Sequence, residues 1–134
     1  MTDALVLDGQ PLTFADVEAV ARAARTVSLG DDARSRIDAA RSVVEAAADG
    51  HEPVYGVNTG FGSLSRVQID GDGIRDVQRN LIRSHAAGVG EPLPNDVVRA
   101  MMLILAASLC RGHSGVRVSV CLLYTSPSPR DRSL

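Results

Sequence analysis

A mainly α-helical fold follows from three features of the sequence. Apolar residues recur at steps of three and four, helix-start signals stand ahead of them, and aromatic residues are scarce. Only Phe14, Tyr55, Phe61 and Tyr124 are aromatic and Trp is absent, so the core must be Ala, Leu, Val, Ile and Met. Small residues of this kind suit close helix packing better than a sandwich or barrel. A length of 134 residues admits one domain and excludes two full-sized ones. The expected content is about four helices, a short extended segment and a glycine-rich loop.

Thr13, with Asp16 three residues on, has the spacing of a capping box, and Val17, Val20, Ala21 and Ala24 follow at helical intervals. A first helix is expected from Phe14 to about Arg25. Ser28 and Asp31 repeat the capping spacing ahead of a stripe formed by Ile37, Ala40, Val44 and Ala47, which Gly50 ends. Pro53 to Val57 reads as extended and runs into the glycine-punctuated loop Gly56 to Gly62. Asp72 can open a third helix, with Ile74, Val77, Leu81 and His85 along an inward face and Arg75, Arg79 and Arg83 along another. Asn95 is placed to cap a fourth, apolar nearly all round from Val97 to Cys110. Such a helix calls for burial on every side, yet four helices cannot surround it, so Met101 to Leu105 cannot all be covered. From Val118 to Leu134 no period survives.

The net charge of −2, with all 14 basic residues Arg, offers no footprint for nucleic acid or an anionic membrane. The apolar fourth helix falls short of the roughly 20 residues of a membrane span. Cys110 and Cys121 are too few for a disulfide framework or a zinc site, and the N-terminus lacks a signal-peptide pattern. A reduced, cytoplasmic protein is expected. Asp70 and Asp72 flank Gly71 without further ligand spacing, so no metal is expected.

Two strings stand out chemically. Tyr55-Gly56-Val57-Asn58-Thr59-Gly60-Phe61-Gly62 holds two of the four aromatics, and its glycines let the backbone approach a ligand closely. It lacks the lysine of a phosphate loop and the strand-to-helix setting of a dinucleotide fingerprint. Taken alone it reads either as a packed turn or as a loop that presents a phenol. The second string is Ser84-His85-Ala86-Ala87-Gly88-Val89-Gly90. A lone histidine on an apolar stripe is more often an interior residue than a catalyst, but these small neighbours leave room beside the imidazole. His51 and His113 have no such setting.

Together with Val77 to Gly90 as a whole and Arg111-Gly112-His113-Ser114-Gly115-Val116-Arg117, these strings resemble the N-terminal part of the aromatic amino acid ammonia-lyase family. The resemblance runs from about Leu5 to Arg117, and the Ser84-His85 pair is similar to the histidine branch. It implies elimination of ammonia from L-histidine to give trans-urocanate, in a homotetramer whose sites collect residues from several subunits. It further implies an electrophilic methylidene-imidazolone cofactor made from an internal Ala-Ser-Gly, with no metal. Tyr55 matches the base that removes the β-proton, and His85 matches a histidine that contacts the substrate ring or the cofactor region. Asn58, Thr59, Gly60 and Phe61 match the loop that positions the tyrosine. An ordinary phenol titrates near pH ~10, so a base role requires surroundings that stabilise phenolate.

No Ala-Ser-Gly occurs in the chain; the nearest strings are Ala107-Ser108-Leu109 and His113-Ser114-Gly115. The expectation is therefore that residues 1–117 are the truncated front of a lyase domain, inactive alone. Residues 118–134 are expected to be a spurious or disordered tail, in which Cys121 to Ser133 resembles a translated sequencing adapter. Two alternatives stand beside this: a phenylalanine or tyrosine lyase or aminomutase, and a non-catalytic helical interaction module, which the Arg75, Arg79, Arg83 stripe would suit.

Overall fold

Thr13 opens the first helix as its spacing requires. In the computed structural model, which describes residues 3–125, the Thr13 side chain accepts from the Asp16 amide at 3.2 Å. The Asp16 carboxylate accepts in return from the Thr13 amide at 3.1 Å and hydroxyl at 2.6 Å. The elements are β1 (Leu5–Leu7), α1 (Phe14–Ala21), β2 (Val27–Leu29), α2 (Asp31–Asp49), a 3-10 turn (Gly62–Leu64), α3 (Gly71–His85), α4 (Asn95–Leu109) and α5 (Val118–Thr125).

The helical reading holds, with specific differences. α1 stops at Ala21 rather than Arg25, because Ala24 takes a left-handed φ of 52° and the chain turns back into β2. β1 and β2 form a parallel pair in which Leu5 faces Val27 and Leu7 faces Leu29. Ser28 is therefore a strand residue and not a helix cap. α3 is capped by Asp70, whose carboxylate accepts from the Gly73 amide at 3.2 Å, and Asp72 lies inside the helix. Pro94 precedes α4, so Asn95 is its first residue rather than its cap.

Among the described residues the expected four helices become five, because Val118–Thr125 is helical where no period was visible. Cys121 is fully buried, and Val118, Val120, Leu122 and Tyr124 pack on the core. Tertiary burial orders this segment although its own sequence carries no amphipathic pattern. The remainder of the expected tail, residues 126–134, lies outside the described residues.

Although the length suits one domain, the chain divides into two compact units. One comprises the chain up to Arg41 and again from Pro92, and the other Ser42 to Glu91; α2 contributes to both. The first unit holds the apolar core. Leu7, Leu29, Ala33 and Ile37 meet Leu103, Ala106, Leu109, Cys110 and Cys121 there, with α4 lying against α1 and α5. Burial pushes the Cys110 thiol up to about 11 and raises that of Cys121, so both stay neutral near pH 7. The second unit has a different interior: its buried residues, among those described, are Asn58, Thr59 and Gly60, with no large apolar side chain. Bulky residues are present between Ser42 and Glu91, but Val43, Val54, Leu64, Val67, Ile82 and Val89 among them are exposed.

Two predictions arise here. Hydrogen bonds from the Thr13 hydroxyl and then the Thr13 amide, aided by Arg25, hold the Asp16 carboxyl below its usual value. A carboxylate with a lowered folded pKa stabilises above the unfolded pKa of about 4, and that stabilisation is lost as pH falls through the folded value. Thr13→Ala is expected to cost about 1 kcal/mol at neutral pH. In urea unfolding that difference from wild type should shrink by pH 2; a gap unchanged between pH 7 and pH 2 would refute the linkage.

The second concerns α4, which is buried along Leu103, Ala106 and Leu109 rather than all round. Met101 is 58% exposed and Ile104 55%, and Ile104 lines a surface hollow of about 700 Å³ with the exposed Phe14, Val17 and Ala107. The native chain is expected to bind a hydrophobic dye, and Met101→Glu with Ile104→Glu to lower that fluorescence severalfold. Equal dye binding by the double variant would show that the dye reports something else.

Candidate functional site

The loop from Tyr55 to Gly62 is built around one side chain. Asn58 is 1% exposed. Its Oδ1 accepts from the Val54 amide at 2.7 Å. Its Nδ2 donates toward the carbonyls of Ala47 at 3.0 Å, Gly50 at 3.3 Å and Glu52 at 2.9 Å. Its backbone also bonds on both sides, to the Val54 carbonyl through N–H and to the Ile69 amide through C=O. The side chain thus ties the end of α2 to the loop and satisfies carbonyls that a helix terminus leaves unpaired.

These bonds also explain why Pro53 to Val57 is not extended. With the amides of both Val57 and Asn58 on the Val54 carbonyl, the segment is a turn, and its sheet-like contact is a single bridge between Thr59 and Gln68. Thr59, 2% exposed, accepts from the Gly56 amide at 3.3 Å and donates to the Gly60 carbonyl at 3.1 Å. Gly56 holds a φ of +74°, and a Cβ at Gly60 would lie 2.6 Å from that of Leu64. Both positions require glycine, one for its dihedral and the other for close approach.

On this frame the aromatic rings face outward. Tyr55 is 63% exposed and meets Phe61 edge to face, with centroids 5.9 Å apart and planes at 75°. Tyr55 lines a shallow cleft of about 610 Å³ with Pro53, Gly62, Ser65 and Arg66. The structure therefore brings Tyr55, Asn58, Thr59, Gly60 and Phe61 into one assembly, and the phenol is open to a ligand.

His85 sits elsewhere. It continues the stripe of Ile74, Val77 and Leu81, which are half-buried, but is itself exposed because the helix ends there and Ala86 leaves it with ψ 65°. The expected inward placement is not found in this chain. Nδ1 lies 2.8 Å from the Leu81 carbonyl and 3.0 Å from the Ser84 hydroxyl. A carbonyl only accepts, so Nδ1 carries a proton in this contact.

One residue of the loop's frame escaped the sequence reading. Gln78, half-buried on α3, donates from Nε2 to the Gly56 carbonyl at 3.2 Å. The available signal was a polar residue next to Val77 on the inward face.

The residues present do not fit the ring cofactor that the resemblance implied. Ala107-Ser108-Leu109 is committed to the last turn of α4 with Leu109 buried, and the second string has His113 where alanine is needed. No group of three or more His, Cys, Asp or Glu among the described residues could hold a metal ion.

A family model described as aromatic amino acid lyase matches residues 12–126, past Arg117, where the resemblance had been expected to end. The chain is 44% identical over 127 residues to histidine ammonia-lyase of Myxococcus xanthus, covering 95% of this chain and 25% of that protein. It is 50% identical over 116 residues to that of Deinococcus radiodurans, covering 87% and 22%. Among solved structures it is similar to histidine ammonia-lyase from Trypanosoma cruzi, with TM-score 0.81 and 38% identity over 92% of this chain and 24% of that one. It is also similar to ergothionase from Treponema denticola, with TM-score 0.86 and 36% identity over 92% and 25%. The chain thus spans about a quarter of the length of the relatives it matches.

Proposed function

This chain belongs to the aromatic amino acid lyase family, and from that premise we propose that it supplies the tyrosine-bearing quarter of an ammonia-lyase acting on L-histidine. The observation that carries the reading is the Tyr55 phenol, exposed on a loop whose backbone is fixed from beneath by buried Asn58. A base must be held in place and remain reachable, and this arrangement meets both needs.

In the reaction Tyr55, acting as the base through its phenolic oxygen, takes a proton from Cβ of histidine. The Cβ–H pair becomes the new double bond, the Cα–N bond breaks, and trans-urocanate and ammonia leave. Phe61 limits rotation of the phenol, and Asn58, Thr59 and Gly60 hold the peptide that carries it. His85, exposed at the end of α3, is suited to meet the substrate ring or the cofactor region, and the Ser84-His85 pair favours histidine over phenylalanine or tyrosine as substrate. The family's methylidene-imidazolone would activate the departing amine, and its precursor is absent from this sequence. The electrophile, the cytoplasmic setting and the homotetramer belong to the complete family architecture, with residues 1–117 as its N-terminal part.

The test has two arms. The 134-residue chain alone is expected to release no urocanate from histidine. A chimera joining residues 1–117 to the remainder of the Deinococcus radiodurans lyase is expected to do so, followed by ultraviolet absorbance. Activity in the chain alone would overturn the division of labour. A folded, inactive chimera would overturn the lyase reading, and a preference for phenylalanine or tyrosine would move it to the other branch.

A further inference from the structure

The geometry points to Gln78 as a positioning residue for Tyr55, acting through the peptide that follows it; the inference rests on the lyase reading for its purpose, though not for its geometry. Gly56 is the residue directly after Tyr55, and its carbonyl accepts from Gln78 Nε2 at 3.2 Å. Its amide is held on the other side by the Thr59 hydroxyl at 3.3 Å. The residue is therefore pinned at both polar groups, in a left-handed conformation of φ +74° that glycine leaves only weakly defined by itself. A rotation about that φ swings Tyr55 relative to Phe61, whose Cε1 lies 3.6 Å from where a Gly56 Cβ would stand. Asn58 fixes the loop from the α2 side through Ala47 and Gly50. The Gln78 bond is a separate anchor, from α3. The loop is thus held from two helices, and α3 is also the helix that ends in His85. Tyr55 and His85 are linked by this path through Gln78 and Gly56, so a shift of α3 is transmitted to the phenol.

The anchor depends on a donor, which makes it separable from simple packing. Gln78→Met keeps the length and the helix propensity but cannot donate. Gln78→Glu at neutral pH presents an acceptor to a carbonyl. Gln78→Lys retains a donor at similar reach. Hydrogen exchange followed by mass spectrometry on the full chain, at low micromolar concentration, reads the amides of Gly56, Val57 and Asn58. These are expected to exchange about fivefold faster in Gln78→Met, the size of one lost hydrogen bond. Gln78→Glu should exchange faster still at pH 7 and approach wild type near pH 4, once its carboxyl becomes a donor. Gln78→Lys should stay within twofold of wild type.

Packing alone would give the opposite pattern, with Met silent and Lys disruptive, and that result would overturn the inference. Should Gln78→Met fail to fold by circular dichroism, the pH response of Gln78→Glu decides by itself, and a flat response sinks the donor role. None of these readouts requires lyase activity. An inactive chimera would defeat the lyase reading and leave the anchor standing, while an active chimera with a silent Gln78→Met would defeat the anchor alone.

Discussion

Asn58→Asp is expected to release the whole segment from Gly50 to Ile69 while leaving the apolar unit folded. The substitution keeps the side chain's shape and replaces the Nδ2 donor by an oxygen. That oxygen would face the carbonyls of Ala47, Gly50 and Glu52 at about the distances that Nδ2 now spans, 2.9 to 3.3 Å. Each hydrogen bond contributes roughly 0.5–1.5 kcal/mol, and each buried group left unpaired costs about 1–3 kcal/mol. A carboxylate in a position that is 1% exposed adds a desolvation penalty of its own. A loss of about 3–5 kcal/mol is the consequence, comparable to breaking a buried ion pair. The unit between Ser42 and Glu91 has no buried large apolar side chain among its described residues to offset it.

Hydrogen exchange should therefore rise to near-unprotected rates between Gly50 and Ile69, while amides around Ile37 and Leu103 keep their protection. Asn58→Ala removes the same donors without adding charge, and its effect should be smaller. Wild-type protection in Asn58→Asp would mean that the loop is held by something other than this side chain.

The residues that the sequence made legible are those with a periodic or paired signature. Thr13 with Asp16 announced the start of α1, and the stripe of Ile37, Ala40, Val44 and Ala47 is the half-buried and buried face of α2, which Ala33 extends. Where the same signature arises by coincidence it misleads, as with Ser28, which stands three residues before Asp31 but belongs to a three-residue strand. β1 and β2 are too short to display an alternation, and they exist because each satisfies the other's backbone. α5 shows no period because its order comes from the surface it covers.

The loop was visible as a string, and its residues were named from their resemblance to a family. What remained hidden was why it keeps its shape. The partners of Asn58 are backbone carbonyls, which leave no mark on the residues that own them, and Gln78 reaches across 22 positions to another such carbonyl. The inward placement expected of His85 is missing for a related reason. Periodicity places it on the inward stripe, but a stripe ends where its helix does, and α3 stops at that residue.

Tyr55→Phe, made in the chimera with the Deinococcus radiodurans remainder, is expected to lower kcat by about 10²- to 10⁴-fold, the range for removing a general base. The change deletes one hydroxyl from a ring that is 63% exposed. Its edge-to-face contact with Phe61 at 5.9 Å does not need that oxygen. Surface substitutions of this kind move stability by about ±0.5 kcal/mol at most, so lost rate cannot be ascribed to unfolding. If Tyr55 removes the β-proton, the deficit should appear in kcat and in kcat/KM together, with KM little altered, because the interaction exists only as the proton moves. Removing the base also makes proton removal slower relative to every other step. β-Deuterated histidine should then react more slowly than the protiated substrate in Tyr55→Phe, by a larger ratio than in the parent chimera. A variant that binds histidine poorly but turns it over at the parent rate would instead make Tyr55 a binding group. Retention of more than about a tenth of kcat would leave the base to be found outside this quarter of the fold.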